Sequence, residues 1–417
     1  MELMTGYKQT EVGVIPEDWN ATRLGDLFEV TSSKRVFQSE WKTYGVPFYR
    51  ARELAVLGET GKVDNELFIT REMYEAFKRS YGVPEVGDML VTGVGTLGKV
   101  YVVAPNHEFY FKDGNIIWFK IAGSVCSDFL RQLYLTPVVK KQIGDGSAGT
   151  TVGTYTISGA KKTVIHTPPL PEQRAIAQAL SDVDATLATL DQMIAKKRDL
   201  KQAAMQQLLT GKTRLPGFSG KWEVKQLGDI GQFLKGRGVK KDEAQSGTIP
   251  CIRYGEIYTH HNDYIKSFNS WISPKVAATA TRLKQGDLLF AGSGETKEEI
   301  GKCVAFIDDC EAYAGGDTVI LRAAGINPMF MGYYCNTAPI AAQKASKGQG
   351  DAVVHISAAA LSSIVLALPS LPEQNAIATA LSSMDSELSV LVSSRDKTHN
   401  LKQAMMQELL TGKTRLV

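Results

Sequence analysis

At 417 residues, with 43% hydrophobic and 22% charged side chains, the chain has apolar content for two or three ordinary cores and too much of it for a disordered polymer. No run of about eighteen apolar residues occurs, and the opening MELMTGYKQTEVGVIPEDW lacks a signal peptide's apolar stretch, so no membrane association or Sec export is indicated and a cytoplasmic location is expected. A net charge of +3 is compatible with a nucleic-acid partner without demanding one, because a basic face can sit on a nearly neutral protein.

Taken in chain order, the first half opens with short strand-like runs separated by Gly-rich turns: DMLVTG, KVYVVAP and IIWFKI. SDFLRQLYLTPVVKKQI (Ser127 to Ile143) reads as a helix. Pro168-Pro169 then leads into a stretch without proline from Glu172 to Leu215, opened by Pro-Glu-Gln, where a proline in the first turn is harmless. Ile176, Leu180, Val183, Leu187, Leu190 and Ile194 step by fours and threes, the spacing of a coiled-coil seam. Past Lys196 to Asp199 the stripe slips and is expected to resume as Leu200, Ala204 and Leu208. The second half runs through DLLFAG, KCVAFI and DTVILRA, a helical stretch from Asn327 to Ala345, and a second proline-free segment from Glu373 to Val417. There the seam is Ile377, Leu381, Met384, Leu388 and Leu391, resuming as Leu401, Met405 and Leu409. The expected fold class is α/β (mixed α+β).

The two halves are copies. Pro171 to Leu215 aligned with Pro372 to Leu416 gives 27 identities in 45 positions, and LLTGKTRL is spelled identically at Leu208 to Leu215 and Leu409 to Leu416. Upstream the likeness is weaker: VPFYRARE (Val46 to Glu53) against IPCIRYGE (Ile249 to Glu256), and GDMLVTGVG (Gly87 to Gly95) against GDLLFAGSG (Gly286 to Gly294). Each half is thus a divergent globular part followed by a nearly constant helix of about 39 residues, about 58 Å long at 1.5 Å per residue. So long a helix exceeds the needs of a small core and suits pairing with its twin. Antiparallel pairing would place a pseudo-twofold axis between them and set the globular parts at opposite ends of a rod. The expected boundaries are 1–167, 168–215, 216–367 and 368–417.

Motifs for chemistry dissolve on inspection. GKT needs a glycine five residues upstream and a strand before it, whereas Gln206 and Gln407 stand there inside helix, so Gly211 and Gly412 read as helix ends. Gly93, Gly95 and Gly98 spell GxGxxG but lead into another strand, as a β-turn does and a dinucleotide loop does not. Cys126, Cys251, Cys303, Cys310 and Cys335 form no CxxC pair and fit reduced thiols. His260 and His261 lack a ligand series, so no metal site is expected. Neither an adenine-methyltransferase Asn/Asp-Pro-Pro-Tyr/Phe motif nor a nuclease cluster nor a nucleophile elbow is seen, which favours a binding protein over an enzyme.

PPLPEQRAIAQAL (Pro168 to Leu180), LPSLPEQNAIATAL (Leu368 to Leu381), the paired LLTGKTRL endings and the opening YKQTEVGVIPEDW (Tyr7 to Trp19) resemble the specificity subunit of type I restriction-modification enzymes over essentially the whole chain. The resemblance implies two target recognition domains, each reading one half of a bipartite double-stranded DNA site, held apart by two antiparallel helices that dock two methyltransferase subunits. It also implies that the chain is noncatalytic and binds no cofactor. S-adenosylmethionine would belong to the methyltransferase subunits, and ATP and Mg2+ to partner subunits that include motor-nuclease subunits. The alternative is a coiled-coil adaptor joining two proteins without DNA readout.

If DNA is read, Arg, Lys, Ser and Thr must reach base edges and phosphates from polar or Gly-rich loops. The candidates are Lys34, Arg35, Arg50, Arg52, Ser147, Thr150 and Thr151 in the first half, and Lys235, Arg237, Lys240, Lys241, Arg253, Lys297 and Lys347 in the second. Arg50 and Arg253 occupy matching positions, which fits either a shared DNA contact or a shared structural salt bridge.

Overall fold

A computed structural model describes residues 5–121, 123, 125–147 (residue 147 by backbone only), 153–350 and 353–416. They form two compact units, Met1–Asp191 with Ser394–Val417, and Gln192–Ser393. Each unit therefore combines one globular part with pieces of both long helices.

In the first unit, strand Ile116–Lys120 lies between Glu29–Thr31 and Met89–Thr92, and Val100–Val102 completes an antiparallel four-stranded sheet. Met89–Thr92 is buried along its whole length, which is why MLVT shows no polar alternation. A second sheet sets Val46–Tyr49 between Phe68–Ile69 and, in parallel, Tyr110–Phe111. Val164–Thr167 pairs with Asn20–Arg23 and delivers the chain to the first long helix.

The second unit repeats this order. Gly231–Lys235, Thr318–Ala323, Leu288–Ala291 and Cys303–Ala305 form its four-stranded sheet. Ile249–Ile252 pairs antiparallel with Ser270–Ile272 and parallel with Tyr313–Ala314, and Val365–Leu368 pairs with Glu223–Gln226. All six strand-like runs named from sequence are strands, and the fold is mixed α/β with an internal repeat.

Two expectations need correction. The stretches Ser127 to Ile143 and Asn327 to Ala345 are each two helices: Ser127–Tyr134 and Pro137–Ser147, then Pro328–Tyr334 and Ala338–Lys347. At the breaks, the Thr136 and Thr337 hydroxyls donate to the carbonyls of Leu133 and Tyr334 at 2.6 and 2.8 Å, and Pro137 and Pro339 restart the helix where a proline needs no N–H partner.

The second correction concerns the helix seam. The long helices span Leu170–Leu208 and Leu371–Leu409, 39 residues each. Ile176, Leu180, Ile194, Ile377 and Leu381 are buried; Val183, Leu187, Leu190, Met384, Leu388 and Leu391 are half-buried. Beyond the slip, however, Leu200 and Leu401 are 48% and 55% exposed. Lys201 and Lys402 turn inward in their place, Lys201 meeting Asp385 at 2.7 Å and Lys402 meeting Asp184 at 2.6 Å. A carboxylate one turn from the buried leucines, Asp184 after Leu180 and Asp385 after Leu381, draws the ammonium into the seam and rotates the neighbouring leucine outward. Within the first unit the ion pairs join 172 to 415, 184 to 402 and 191 to 395; within the second they join 373 to 214, 385 to 201 and 387 to 197. In both units the paired segments run antiparallel.

Candidate nucleic-acid interface

At one end of each four-stranded sheet, loops that carry most of the candidate cations are sewn together by main-chain hydrogen bonds. In the first unit Lys112 N donates to Tyr49 O (2.8 Å), Gly93 N to Asn115 O (2.8 Å), and Tyr155 N to Gly93 O (2.9 Å). In the second the same three links recur as Gly315 N to Ile252 O (2.9 Å), Gly292 N to Asp317 O (2.7 Å) and Ile356 N to Gly292 O (3.0 Å). The rim is thus a duplicated construction beneath diverged side chains.

The first rim gathers Lys34, Arg35, Arg50 and Arg52. Ser33 Oγ donates to Phe111 O at 2.7 Å and Arg35 Nε meets Asp113 at 2.9 Å, which holds the 32–35 loop against the 111–115 turn. Lys34 Nζ lies 5.2 Å from the Tyr81 ring centroid. Arg50 precedes helix Ala51–Thr60; Glu53 accepts from its backbone N–H at 3.0 Å and from its guanidinium at 3.0 and 2.5 Å. Burial works to raise the Glu53 pKa, but the Arg50 and backbone hydrogen bonds outweigh it and hold it below its ordinary value. Arg253 opens helix Tyr254–Thr259 in the same manner, its N–H donating to Glu256 at 3.3 Å, but it makes no ion pair among the described residues. The shared feature is therefore the helix start, with Arg50 committed to an internal salt bridge and Arg253 not. Arg52 is exposed and makes no ion pair among the described residues.

Sequence reasoning missed Lys99 and Lys112. Together with Arg50, Arg52, Thr96 and Asn115 they line a groove of about 720 Å³ between helix Ala51–Thr60 and the Gly93–Gly98 turn. The signal available was the Gly-Lys pair after each glycine turn, Gly98-Lys99 and Gly301-Lys302. The GxGxxG segment is a turn joining Met89–Thr92 to Val100–Val102. Of the remaining first-half candidates, Ser147 ends helix Pro137–Ser147 with only its backbone described, and Thr150 and Thr151 lie outside the described residues.

The second rim presents Lys235 at the end of strand Gly231–Lys235, Arg237 and Lys240 in the loop that follows, and Lys241 at the start of a 3-10 turn, Lys241–Glu243, all four exposed. Gly238 and Val239 both take positive φ, +63° and +55°. A β-branched residue there is strained by about 1–3 kcal/mol, and burial of Val239 with Cys251, Ile272 and Val276 holds it in place. The loop is thereby pinned at its centre while its cations stay in solvent. Lys297 is exposed in the turn inserted after Gly294, and Lys347 ends helix Ala338–Lys347.

The repeated LLTGKTRL has a structural role. Gly211 and Gly412 end the helices with φ of +67° and +72°. Arg415 then reaches the Glu172 of one Pro-Glu-Gln (2.6 and 2.7 Å) and Asp18, while Arg214 reaches Glu373 of the other (2.5 and 2.5 Å). Trp19 and Trp222 lie under these guanidinium groups at 5.7 and 5.8 Å. Each ending clasps the start of the other long helix. Among the described residues no group of three or more His, Cys, Asp or Glu side chains gathers to hold a metal ion, and no helix is long and apolar enough to cross a membrane.

Comparison with known proteins gives one consistent picture. The family model for the type I restriction modification DNA specificity domain matches residues 16–196 and again 219–392. A Methanocaldococcus jannaschii chain assigned as the MjaX type I restriction enzyme specificity subunit is 24% identical, over 98% of this chain and 97% of its own. Among solved structures, the S subunit of a type I restriction-modification system from M. genitalium superposes with a TM-score of 0.59 at 14% identity, covering 98% of both chains. A chain from a structure on complex assembly and conformational transition of the type I R-M system gives 0.56 at 16% identity, covering 96% of this chain and 99% of that one.

Proposed function

The chain belongs to the type I restriction-modification DNA specificity family, and from that premise we propose that it is the noncatalytic subunit reading a bipartite duplex site, one half per globular part. The observation that carries this reading is the twice-built rim, in which equivalent backbone links present different polar side chains. A constant frame with variable side chains suits two half-sites of unlike sequence, because base-edge contacts specify while phosphate contacts position.

The long helices serve in this reading as spacer and dock for two methyltransferase subunits. Leu200 and Leu401, at matching positions of the two helices, both remain about half exposed, and equivalent apolar contacts suit two copies of one partner. Those partners bring S-adenosylmethionine and flip the target adenine from the duplex, and motor-nuclease subunits join with ATP and Mg2+. This chain contributes placement.

A single-molecule methylome of cells with the gene intact and deleted tests the proposal. Loss of one bipartite N6-methyladenine motif on deletion is the expected result and yields both half-sites and their spacing. An unchanged methylome in cells that express the chain with its partners would overturn it in favour of a coiled-coil adaptor.

A further inference from the structure

The two rims share a frame but differ where helix and turn face each other. In the first unit Ala55 leaves the space between helix Ala51–Thr60 and the Gly93–Gly98 turn open, and the resulting groove is lined by four cations, Arg50, Arg52, Lys99 and Lys112, against one carboxylate, Glu59. Counting from the matched Arg50 and Arg253, Tyr258 stands where the first unit has Ala55, and its hydroxyl would lie 2.8 Å from a Cβ at Gly294. Gly255 and Gly315 stand where the first unit has Arg52 and Lys112. The four-residue insertion in the turn brings Glu298 and Glu299, and with Tyr258, Asn262 and Lys302 they line a cavity of about 500 Å³ whose other walls, Lys201, Asp263, Asn336 and Lys344, come from outside the rim. Lys302, the counterpart of Lys99, donates to His261 O at 2.8 Å, and burial lowers its pKa.

We propose that the first unit seats one backbone phosphate of the duplex in its groove, on Arg52, Lys99 and Lys112, and that the second unit has no equivalent seat, so the two half-sites are gripped unequally. The inference rests on the DNA-reading function proposed above. A phosphate fits the chemistry: Arg50 is paired with Glu53 and Lys99 with Glu59, but Arg52 and Lys112 make no ion pair among the described residues, so the lining keeps uncompensated positive charge, and the Lys112 ammonium is steadied 5.9 Å from the Trp41 ring centroid. In the second rim the exposed cations Lys235, Arg237, Lys240 and Lys241 lie on the 235–241 segment, and none of them lines that cavity.

The test is equilibrium binding of the full chain, assembled with its methyltransferase partner, to a duplex bearing the motif from the methylome, at a series of salt concentrations. Each phosphate neutralised contributes about 0.9 to the slope of log K against log salt, so Arg52→Gln with Lys112→Gln, which empties the one seat, should flatten it by nearly 1. Preference for the specific duplex over a scrambled one should persist, since phosphate contacts carry no sequence. Lys112→Arg should keep the slope. Ala55→Tyr, which keeps every charge but fills the groove, should reproduce the flattening, and one neutral methylphosphonate linkage in the duplex should abolish the difference between wild type and the double variant. An unchanged slope in the double variant, with wild type binding specifically, overturns the seat and leaves the DNA-reading function standing. A flattened double variant with a silent Ala55→Tyr also overturns the seat, because the charges would then act from a distance. Absence of salt-dependent specific binding by wild type removes the function and the seat together.

Discussion

Arg415→Met removes one guanidinium and strands one buried carboxylate. Glu172 is 0% exposed and receives two hydrogen bonds from Arg415, at 2.6 and 2.7 Å, besides one from Trp19 Nε1 at 3.1 Å. Asp18, the other partner, is 53% exposed and rehydrates when released, so its share is small. Breaking a buried pair costs about 3–5 kcal/mol; with Arg415 itself 31% exposed, the lower end applies, about 3 kcal/mol. Two units need not unfold together, so the assay should be local: amide hydrogen exchange of peptides from the start of helix Leu170–Leu208. Opening that is easier by about 3 kcal/mol speeds their exchange by about a hundredfold, while peptides of the second unit stay unchanged. Adding Glu172→Gln removes the stranded charge and should restore protection to within about tenfold of wild type, since a poorly bonded neutral amide costs only about 1–2 kcal/mol. Unchanged protection in Arg415→Met, or no recovery in the double variant, would refute the clasp as a buried ion pair.

Other outcomes follow from the same geometry. Gly412→Ala should destabilise the first unit more than Gly211→Ala does the second: both lose a left-handed glycine, at about 1–2 kcal/mol, but the new methyl meets Pro16 Cδ at 2.5 Å in one case and only Trp222 at 3.2 Å in the other, a difference read by thermal melting. Leu381→Asp should prevent folding of the second unit and recovery of the chain with partner subunits, whereas Leu388→Asp, at a half-buried position, should be milder by co-purification yield. Lys201→Met leaves Asp385 and Asp263 without their shared cation and should cost about 3 kcal/mol in the second unit by local exchange, more than Lys402→Met in the first, where Asp184 is better solvated. Burial raises the Asp263 pKa above its ordinary value, so the folded state keeps a proton that the unfolded state has already lost; this contribution favours folding most below the ordinary carboxylate range and declines as pH rises through the raised pKa. Asp263→Asn should remove that decline from the pH–stability curve of the second unit.

The long helices were legible because periodicity, proline placement and duplication reinforce one another. Their partners across the seam were less so: a stripe count favoured Leu200 and Leu401, and only the location of Asp184 and Asp385 explains why the adjacent lysines point inward. Arg214 and Arg415 looked like ordinary basic residues at helix ends because their carboxylates stand 159 and 243 residues away in sequence. The rim was half legible. Arg50 and Arg52 announced themselves in a matched segment, but Lys99 and Lys112 join them only through strand pairing, and Ala55 against Tyr258 matters only once helix and turn are seen face to face.

The division of the chain also orders its birth on the ribosome. The second unit is one continuous stretch, Gln192–Ser393, whereas the first needs Ser394–Val417, and its apolar core includes Leu409 and Leu410 beside Ile15 and Trp19. Although nascent chains generally fold from the N-terminal domain onward, here the later-made unit has all its parts before the earlier one does. Until Leu409 and Leu410 emerge, the first unit must wait with the face that takes them uncovered. A message truncated before Leu409 would yield a second unit with all its parts attached to an unsealed first, a ready substrate for proteolytic clearance.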